Sequence, residues 1–418
     1  MSRANPHKRF LALLAATFLL VSLVAAGFNY LIDPYGLFGT PRIAGLNGLK
    51  PASSERVRVI KPYMASRARP KVVIGGNSRP EIGLNPQGAC WEAADGPVFN
   101  AGIPGSDVFM QTRYVQHAVE RGKARRVLFG VDFLDFVVDA SKPVGKVNWD
   151  RLGKTFGGRL DSGLEGGFGA ALNRQVAEDV LSGLFSLVAL GDSFVTVASQ
   201  RDANSATRRE DGFNPALDYR PIIRNEGQAV LFRQKNIEVR KRLQQDEIGI
   251  LGVHGQLAMP LQALRRFLDW ANTHDVEVVL FINPYHTDYL IQIEMAGKWP
   301  LFEEWKRQLA YIAVEYDVPL WDFNTVDRFS TEPPPLPGDR RSELEWFWEP
   351  AHYRSELGDL MLAAMLDRQC GKSRESGGFG VKLDPASMPH QLDQLRTKLN
   401  RFILENPQVV KRLRSGAS

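Results

Sequence analysis

Between Arg9 and Asp33 the sequence runs FLALLAATFLLVSLVAAGFNYLI without a single charge. As an α-helix this run covers a hydrocarbon core of roughly 30 Å, so the chain is expected to be tied to a membrane. Arg3, Lys8 and Arg9 precede it, and cationic residues are retained on the cytoplasmic side. The N-terminus should stay inside while the rest of the chain crosses. In a bacterial cell this gives a single-pass protein of the inner membrane whose bulk is periplasmic or extracellular. A cleaved signal peptide with a small-residue site near LVAAG is the competing reading, although the run is longer than an ordinary signal core. Either reading exports the domain.

The whole chain has 418 residues, enough for one elaborated α/β domain or two ordinary ones, and one elaborated domain is the preferred reading. With 44% hydrophobic and 24% charged residues it has the composition of a globular protein with a buried core. The net charge of +5 permits attraction to phosphates or anionic lipid. Lys and Arg are interspersed with Asp and Glu, however, and no nucleic-acid motif accompanies them, so nucleic acid is not an expected partner. Cys90 and Cys370 are the only cysteines. They are too few for a metal-binding quartet; one disulfide in an oxidising compartment and two separate buried thiols fit the sequence equally well.

Residues 1–32 read as the cytoplasmic stub and anchor, and 33–68, rich in Gly and Pro, as an irregular juxtamembrane linker. From Arg69 the pattern alternates. KVVIGG, PVFNAGIPG and ARRVLFGVDF read as strands, with a helix at DVFMQTRYVQHAVERGK. An insertion is expected around 140–253, with Gly-rich FGGRLDSGLEGGFG, an apolar helix near Val176 to Leu190, and an Arg-rich stretch from Arg201 to Arg242. Alternation then resumes with a helix at PLQALRRFLDWANTH, a strand at VEVVLFINP, a helix at FEEWKRQLAYIAVEY, a strand at VPLWDF and a helix at SELGDLMLAAMLDR. Five strands alternating with helices imply an α/β domain with a doubly wound parallel sheet over 69–370. The tail, 371–418, begins Gly-Lys-Ser-rich and carries an amphipathic segment from Pro389 to Glu405, read first as a solvated surface helix.

In parallel sheets, ligands gather at the carboxyl ends of the strands, and Ser78 in KVVIGGNSRPEIG directly follows the first strand. A serine needs a base and an acid that orients the base. Of seven histidines, His352 in FWEPAHYRSELGD stands just before the last helix of the domain, with Glu349 three residues upstream. His286 in INPYHTD is its rival, because it too follows a strand end. His117, His254, His274, His7 and His390 are weaker, lying in a polar helix, in loops or outside the core. The Gly102 amide in FNAGIPG and the amide of Ser78 itself are possible oxyanion donors, although Gly102 also fits a plain turn.

GGNSR, NAGIPG and EPAHY, in this order, resemble the serine, glycine and histidine blocks of the SGNH, or GDSL-type, hydrolases. The resemblance covers roughly Arg69 to Arg368, interrupted by the insertion. It implies a three-layer α/β sandwich in which Ser78 is the nucleophile, His352 the base, Glu349 the orienting acid and the Gly102 amide part of the oxyanion hole. Two departures stand out. The family usually has aspartate where this chain has Glu349, and its asparagine block appears here as GVDF, putting Asp132 where an amide donor belongs. An ionised carboxylate cannot donate, so Asn283, at the following strand end, is the candidate for the missing donor, with Asn77 a second. The letters Gly191-Asp192-Ser193 reproduce the family's name but follow a helical segment without a glycine block, and Ser193 reads as chance.

The expected function is that of a membrane-anchored esterase or O-acyltransferase acting on an acylated polysaccharide or a related envelope ester, without metal or organic cofactor. Trp346, Trp348, Trp299 and Trp305 could stack on sugar rings or simply pack. A non-catalytic binding or assembly protein of the envelope, with protein partners there, is the alternative favoured by Asp132 and Glu349. A metal-dependent hydrolysis using His286 and Asp288 is a third.

Overall fold

The computed structural model describes residues 6–149, 151–152, 159–160, 170–205, 208–245, 247–371 and 378–415. A 27-residue helix, Pro6–Ile32, opens the chain, long and apolar enough to cross a membrane, with only 6% of its most apolar window buried against protein. Its end is a built joint. The buried Lys50 ammonium donates to the carbonyls of Ile32 (2.9 Å) and Asp33 (2.6 Å), supplying the cation and donors that a helix C-terminus lacks.

Residues 33–68 are not merely a linker. The helix Val57–Ala68 buries Val57, Ile60, Met64 and Ala65, so the folded unit reaches back before Arg69.

The central sheet has six strands in the order β2-β1-β3-β6-β7-β10. β1 (Val72–Gly75) pairs in parallel with β2 (Val98–Asn100) and β3 (Arg126–Val131). β4 (Val138–Asp139) and β5 (Ile248–Gly249) form a separate ribbon at the two ends of the insertion. β6 (Glu277–Ile282) pairs with β3, and β7 (Leu320–Asp322) with β6, again in parallel. β8 (Phe347–Glu349) and β9 (His352–Tyr353) make a tight antiparallel hairpin, and β10 (Val381–Leu383) closes the edge antiparallel to β7. β10 comes from the tail.

Side chains alternate across the sheet as the pleat requires. Val73, Val127, Phe129, Leu280 and Ile282 face a core shared with the helices Val57–Ala68, Val108–Gly122, Met259–Thr273 and Trp299–Glu315. Val72, Ile74, Leu128, Val279 and Phe281 face a second core shared with Ser355–Met365 and with Phe232 of the helix Gln228–Leu243. This is a mixed α/β fold around a mostly parallel sheet, with helices on both faces. The tail helix is packed rather than simply solvated: Met388–Glu405 buries Met388, Leu392, Leu395 and Leu399.

The apolar helix of the insertion is two helices, Ala170–Phe185 and Leu187–Ala198, meeting at a bend. FGGRLDSGLEGGFG lies outside the described residues except for Arg159 and Leu160, as does most of the Gly-Lys-Ser stretch that opens the tail. A disulfide joins Cys90 to Cys370, 280 residues apart, fixing the first of the two alternatives open in the sequence.

Candidate active site

The sheet order reverses between β1 and β3, where the chain leaves in opposite directions to β2 and to β6, and such a point is the usual ligand crevice of an open α/β sheet. β1 ends there in Gly75-Gly76-Asn77-Ser78. Gly76 has φ +129°, and a Cβ on it would lie 2.7 Å from the Gly130 carbonyl oxygen of β3. A side chain is therefore excluded just where the chain must turn. Asn77 then caps the six-residue helix Ser78–Gly83, its Oδ1 accepting the Arg79 N–H at 2.9 Å. Ser78 is presented at the head of that helix.

The Ser78 Oγ lies 2.7 Å from His352 Nε2. His352 Nδ1 is in hydrogen-bond contact with Glu349 Oε1. The two residues are directly opposed across the β8–β9 hairpin, joined by the turn Pro350-Ala351. Glu349 Oε2 accepts the Ala351 N–H at 2.7 Å, so the turn grips both carboxylate oxygens. A cross-strand pairing thus brings the glutamate, three residues upstream, onto the histidine ring. Burial pushes the Glu349 carboxyl up, yet the His352 ring, the Lys235 ammonium and the Ala351 amide together hold it below its ordinary value. An ionised Glu349 can only accept, so the His352 proton sits on Nδ1 and Nε2 is left to take the serine proton.

These groups open on a cavity of about 590 Å³ lined by Asn77, Ser78, Gly105, Asp135, Lys235 and His352, among others. Lys235 and Arg242 come from the insertion helix Gln228–Leu243, so the insertion forms one wall. The same helix holds the histidine hairpin, since Gln228 Nε2 donates to the carbonyls of Phe347 (2.8 Å) and Trp348 (3.0 Å).

The expected oxyanion donors are engaged elsewhere. The Gly102 N–H donates to Asn100 Oδ1 at 3.0 Å, and its carbonyl accepts from the buried Lys61 ammonium. Asn283 donates to the Val131 carbonyl (3.0 Å) and accepts from the Tyr353 hydroxyl (3.0 Å). Asp132 forms a buried ion pair with Arg79 and caps the short helix that follows β3. None of the three lines the cavity. Asn77 does, but its amide donates to Asp135 Oδ2 at 2.9 Å. The Ser78 N–H opens its helix, where the intrahelical ladder offers no acceptor, and the walls carry both signs of charge, Lys235 and Arg242 facing Asp107, Asp135 and Glu238, with Lys235 paired to Glu238 at 2.7 Å.

His286 is not a second base. Its ring nitrogens bond the Glu332 carbonyl and the Asp288 N–H, while its own N–H donates to the Pro350 carbonyl at 3.0 Å. It braces the turn beneath His352. No cluster of three metal-ligating side chains occurs among the described residues. Ser193 is buried against the anchor, donating to Asn29 Oδ1 at 2.9 Å. The tryptophans are not sugar platforms here: Trp299 and Trp305 are core, Trp346 packs on Phe329, and the Arg354 guanidinium lies 3.9 Å over the buried Trp348 ring.

Besides Lys235, Arg242 and Gln228 of the insertion helix, two residues beside the relay escaped the sequence reading. Arg79, next to the serine, is buried, donates from Nε to the Ala351 carbonyl at 2.9 Å and lies over the rings of Tyr285 and Tyr289. It ties the serine turn to the histidine turn. Asp135 accepts from Asn77 and Gln111; burial, then repulsion from Asp132, pushes its carboxyl up to about 6. The only advance signal for Arg79 was its place in GGNSR, and for Asp135 there was none.

Comparison with protein-family models and with curated proteins finds no match to this chain.

Proposed function

We propose that this is a membrane-anchored, exported serine esterase or O-acyltransferase of SGNH type, acting on acyl groups of an envelope glycan. The observation that carries the reading is the Ser78–His352–Glu349 relay at the mouth of a polar cavity. The Ser78 proton passes to His352 Nε2 as Oγ attacks the ester carbonyl. The tetrahedral intermediate collapses and expels the alcohol, which takes that proton, leaving the acyl group on Ser78. Water or a sugar hydroxyl then gives its proton to His352 and attacks the acyl-enzyme, and Ser78 leaves with that proton. Glu349 keeps the imidazole oriented and stabilises its cation. The Ser78 N–H is the group available to the oxyanion. The Cys90–Cys370 disulfide and the apolar N-terminal helix support an exported location.

A non-catalytic envelope binding or assembly protein is the second reading, favoured by one observation: Gly102, Asn283 and Asp132 all have other partners. Labelling of the full chain with a fluorophosphonate separates the two. Label lost with Ser78→Ala, slowed with His352→Ala and kept with Ser193→Ala supports the enzyme. An unlabelled, well-folded wild type supports the binding protein.

A further inference from the structure

The bent helix pair of the insertion has a surface that water does not suit. Leu181, Phe185, Leu187, Val188, Phe194 and Val195 are all half or more exposed, Leu187 at 84%. Between residues 180 and 200 the only charge is Asp192, and it accepts a hydrogen bond from the Tyr35 hydroxyl at 2.6 Å. An apolar patch of this kind on an exported domain marks an interaction surface.

What covers it is indicated by its neighbour. The pair packs on the last turns of the anchor: Asn29 Nδ2 donates to the Leu184 carbonyl (2.9 Å), Ser193 donates to Asn29 Oδ1 (2.9 Å), and the rings of Phe28 and Phe194 are 5.1 Å apart. The exposed apolar face of the pair therefore continues the exposed apolar surface of the anchor, where Leu20, Val21, Leu23, Val24 and Leu31 are also uncovered. The bend suits lipid as well. Ser186 Oγ caps the second helix by accepting the Ala189 N–H at 3.0 Å, and the Ser186 N–H donates to the Ser182 carbonyl at 3.2 Å. Polar groups at the break are thus paired within the segment itself, as hydrocarbon favours. The arms meet at 60°, and the 12-residue arm Leu187–Ala198 is roughly 18 Å long at 1.5 Å per residue, short of the full hydrocarbon core of about 30 Å. Glu178 and Asp179 on one side, and Arg201 and Asp202 on the other, mark where charge resumes.

We propose that this helix pair is a monotopic element seated in the lipid of the extracytoplasmic leaflet beside the emerging anchor, so that the chain holds the membrane at two adjoining places. The cavity, walled by a later helix of the same insertion, is then held at a fixed attitude to the bilayer.

The test uses the full chain with Leu187→Cys or Val188→Cys, labelled with an environment-sensitive fluorophore; the two native cysteines are already paired. The protein is reconstituted in vesicles of phosphatidylethanolamine and phosphatidylglycerol, with and without a phosphatidylcholine bearing a nitroxide high on its acyl chain. Val314→Cys, on the exposed side of the helix Trp299–Glu315, is the control. Blue-shifted emission and quenching by the nitroxide lipid at both positions, several-fold above the control, is the expected result. Unquenched label at both positions overturns the proposal. So does unquenched label together with a Leu187→Cys disulfide between chains, which would assign the patch to a second copy.

Discussion

Arg79→Met isolates the residue that joins the two halves of the site. Its guanidinium is buried, ion-paired with Asp132 and hydrogen-bonded to the Ala351 carbonyl. Burial opposes its charge, but Asp132, the two tyrosines and Asp135 outweigh this and raise its pKa above the ordinary value. Methionine keeps most of the volume and removes the cation, leaving Asp132 buried beside Asp135 without a counter-ion. Breaking a buried pair from one side costs about 3–5 kcal/mol. For a folded unit of roughly 350 residues the unfolding entropy is about 0.7 kcal/mol per K, so the melting temperature should fall by about 4–7 °C. Removing both charges in Arg79→Met/Asp132→Leu should recover most of that loss, because no buried charge is stranded. Labelling by a fluorophosphonate should remain slow, by about 100-fold, since the Ala351 carbonyl has still lost the donor that sets the His352 turn. Thermal unfolding by circular dichroism and labelling rates on the full chain in detergent read both quantities. A single variant that melts within a degree of wild type, or a double variant no more stable than the single, would refute the reasoning.

Glu349→Gln removes the carboxylate that fixes the imidazole tautomer and should slow Ser78 labelling by about 10³–10⁴-fold; equal rates would remove Glu349 from the relay. Asp135, pushed up to about 6 by burial and by Asp132, keeps its proton in the folded chain where the unfolded chain has lost it. Its contribution therefore lowers stability as pH rises from about 4 to about 6, and Asp135→Asn should gain roughly 2–3 kcal/mol on wild type across that window. Urea melts at the two ends of the window check this, and a constant difference between the two proteins contradicts it. The disulfide closes a segment of 280 residues, for which chain entropy gives an upper value of about 5–6 kcal/mol. Cys90→Ser/Cys370→Ser should melt well below the oxidised wild type, and an unchanged melting temperature would show that the bridge constrains little.

The strands and helices of the sheet were legible because each buries a face with a plain period: VVIG and the VVLFI of β6 are continuous apolar runs, buried on both sides, and their helices repeat at helical spacing. The tail strand Val381–Leu383 was not, since an edge strand of three residues with two exposed side chains carries no such pattern. The helix Val57–Ala68 was hidden by Pro62 and by the polar residues Lys61 and Arg67, whose hydrogen bonds go to the carbonyls of Gly102, Gly36 and Leu37 far along the chain. The serine and histidine turns were readable from spacing, and the pairing of Glu349 with His352 from their separation of three. The partners of the expected oxyanion donors were not readable because a motif fixes where an amide stands, not what it bonds: Asn100 accepts the Gly102 N–H, and Asn283 donates to the Val131 carbonyl while accepting from the Tyr353 hydroxyl.

The distances in the relay are set by residues that take no part in it. Ser78 and His352 are 274 positions apart, yet their 2.7 Å contact depends on two short turns that would be mobile alone. Arg79 holds the histidine turn from the serine side, His286 holds it from below through the Pro350 carbonyl, and Gln228 of the insertion holds β8 from above. The insertion is therefore part of the site and not an appendage, since the helix that restrains β8 also places Lys235 4.0 Å from Glu349. Lys235 is also paired with Glu238 at 2.7 Å, so the insertion helix presents a bound ion pair to Glu349, and its cation helps hold that carboxyl ionised beside the His352 ring.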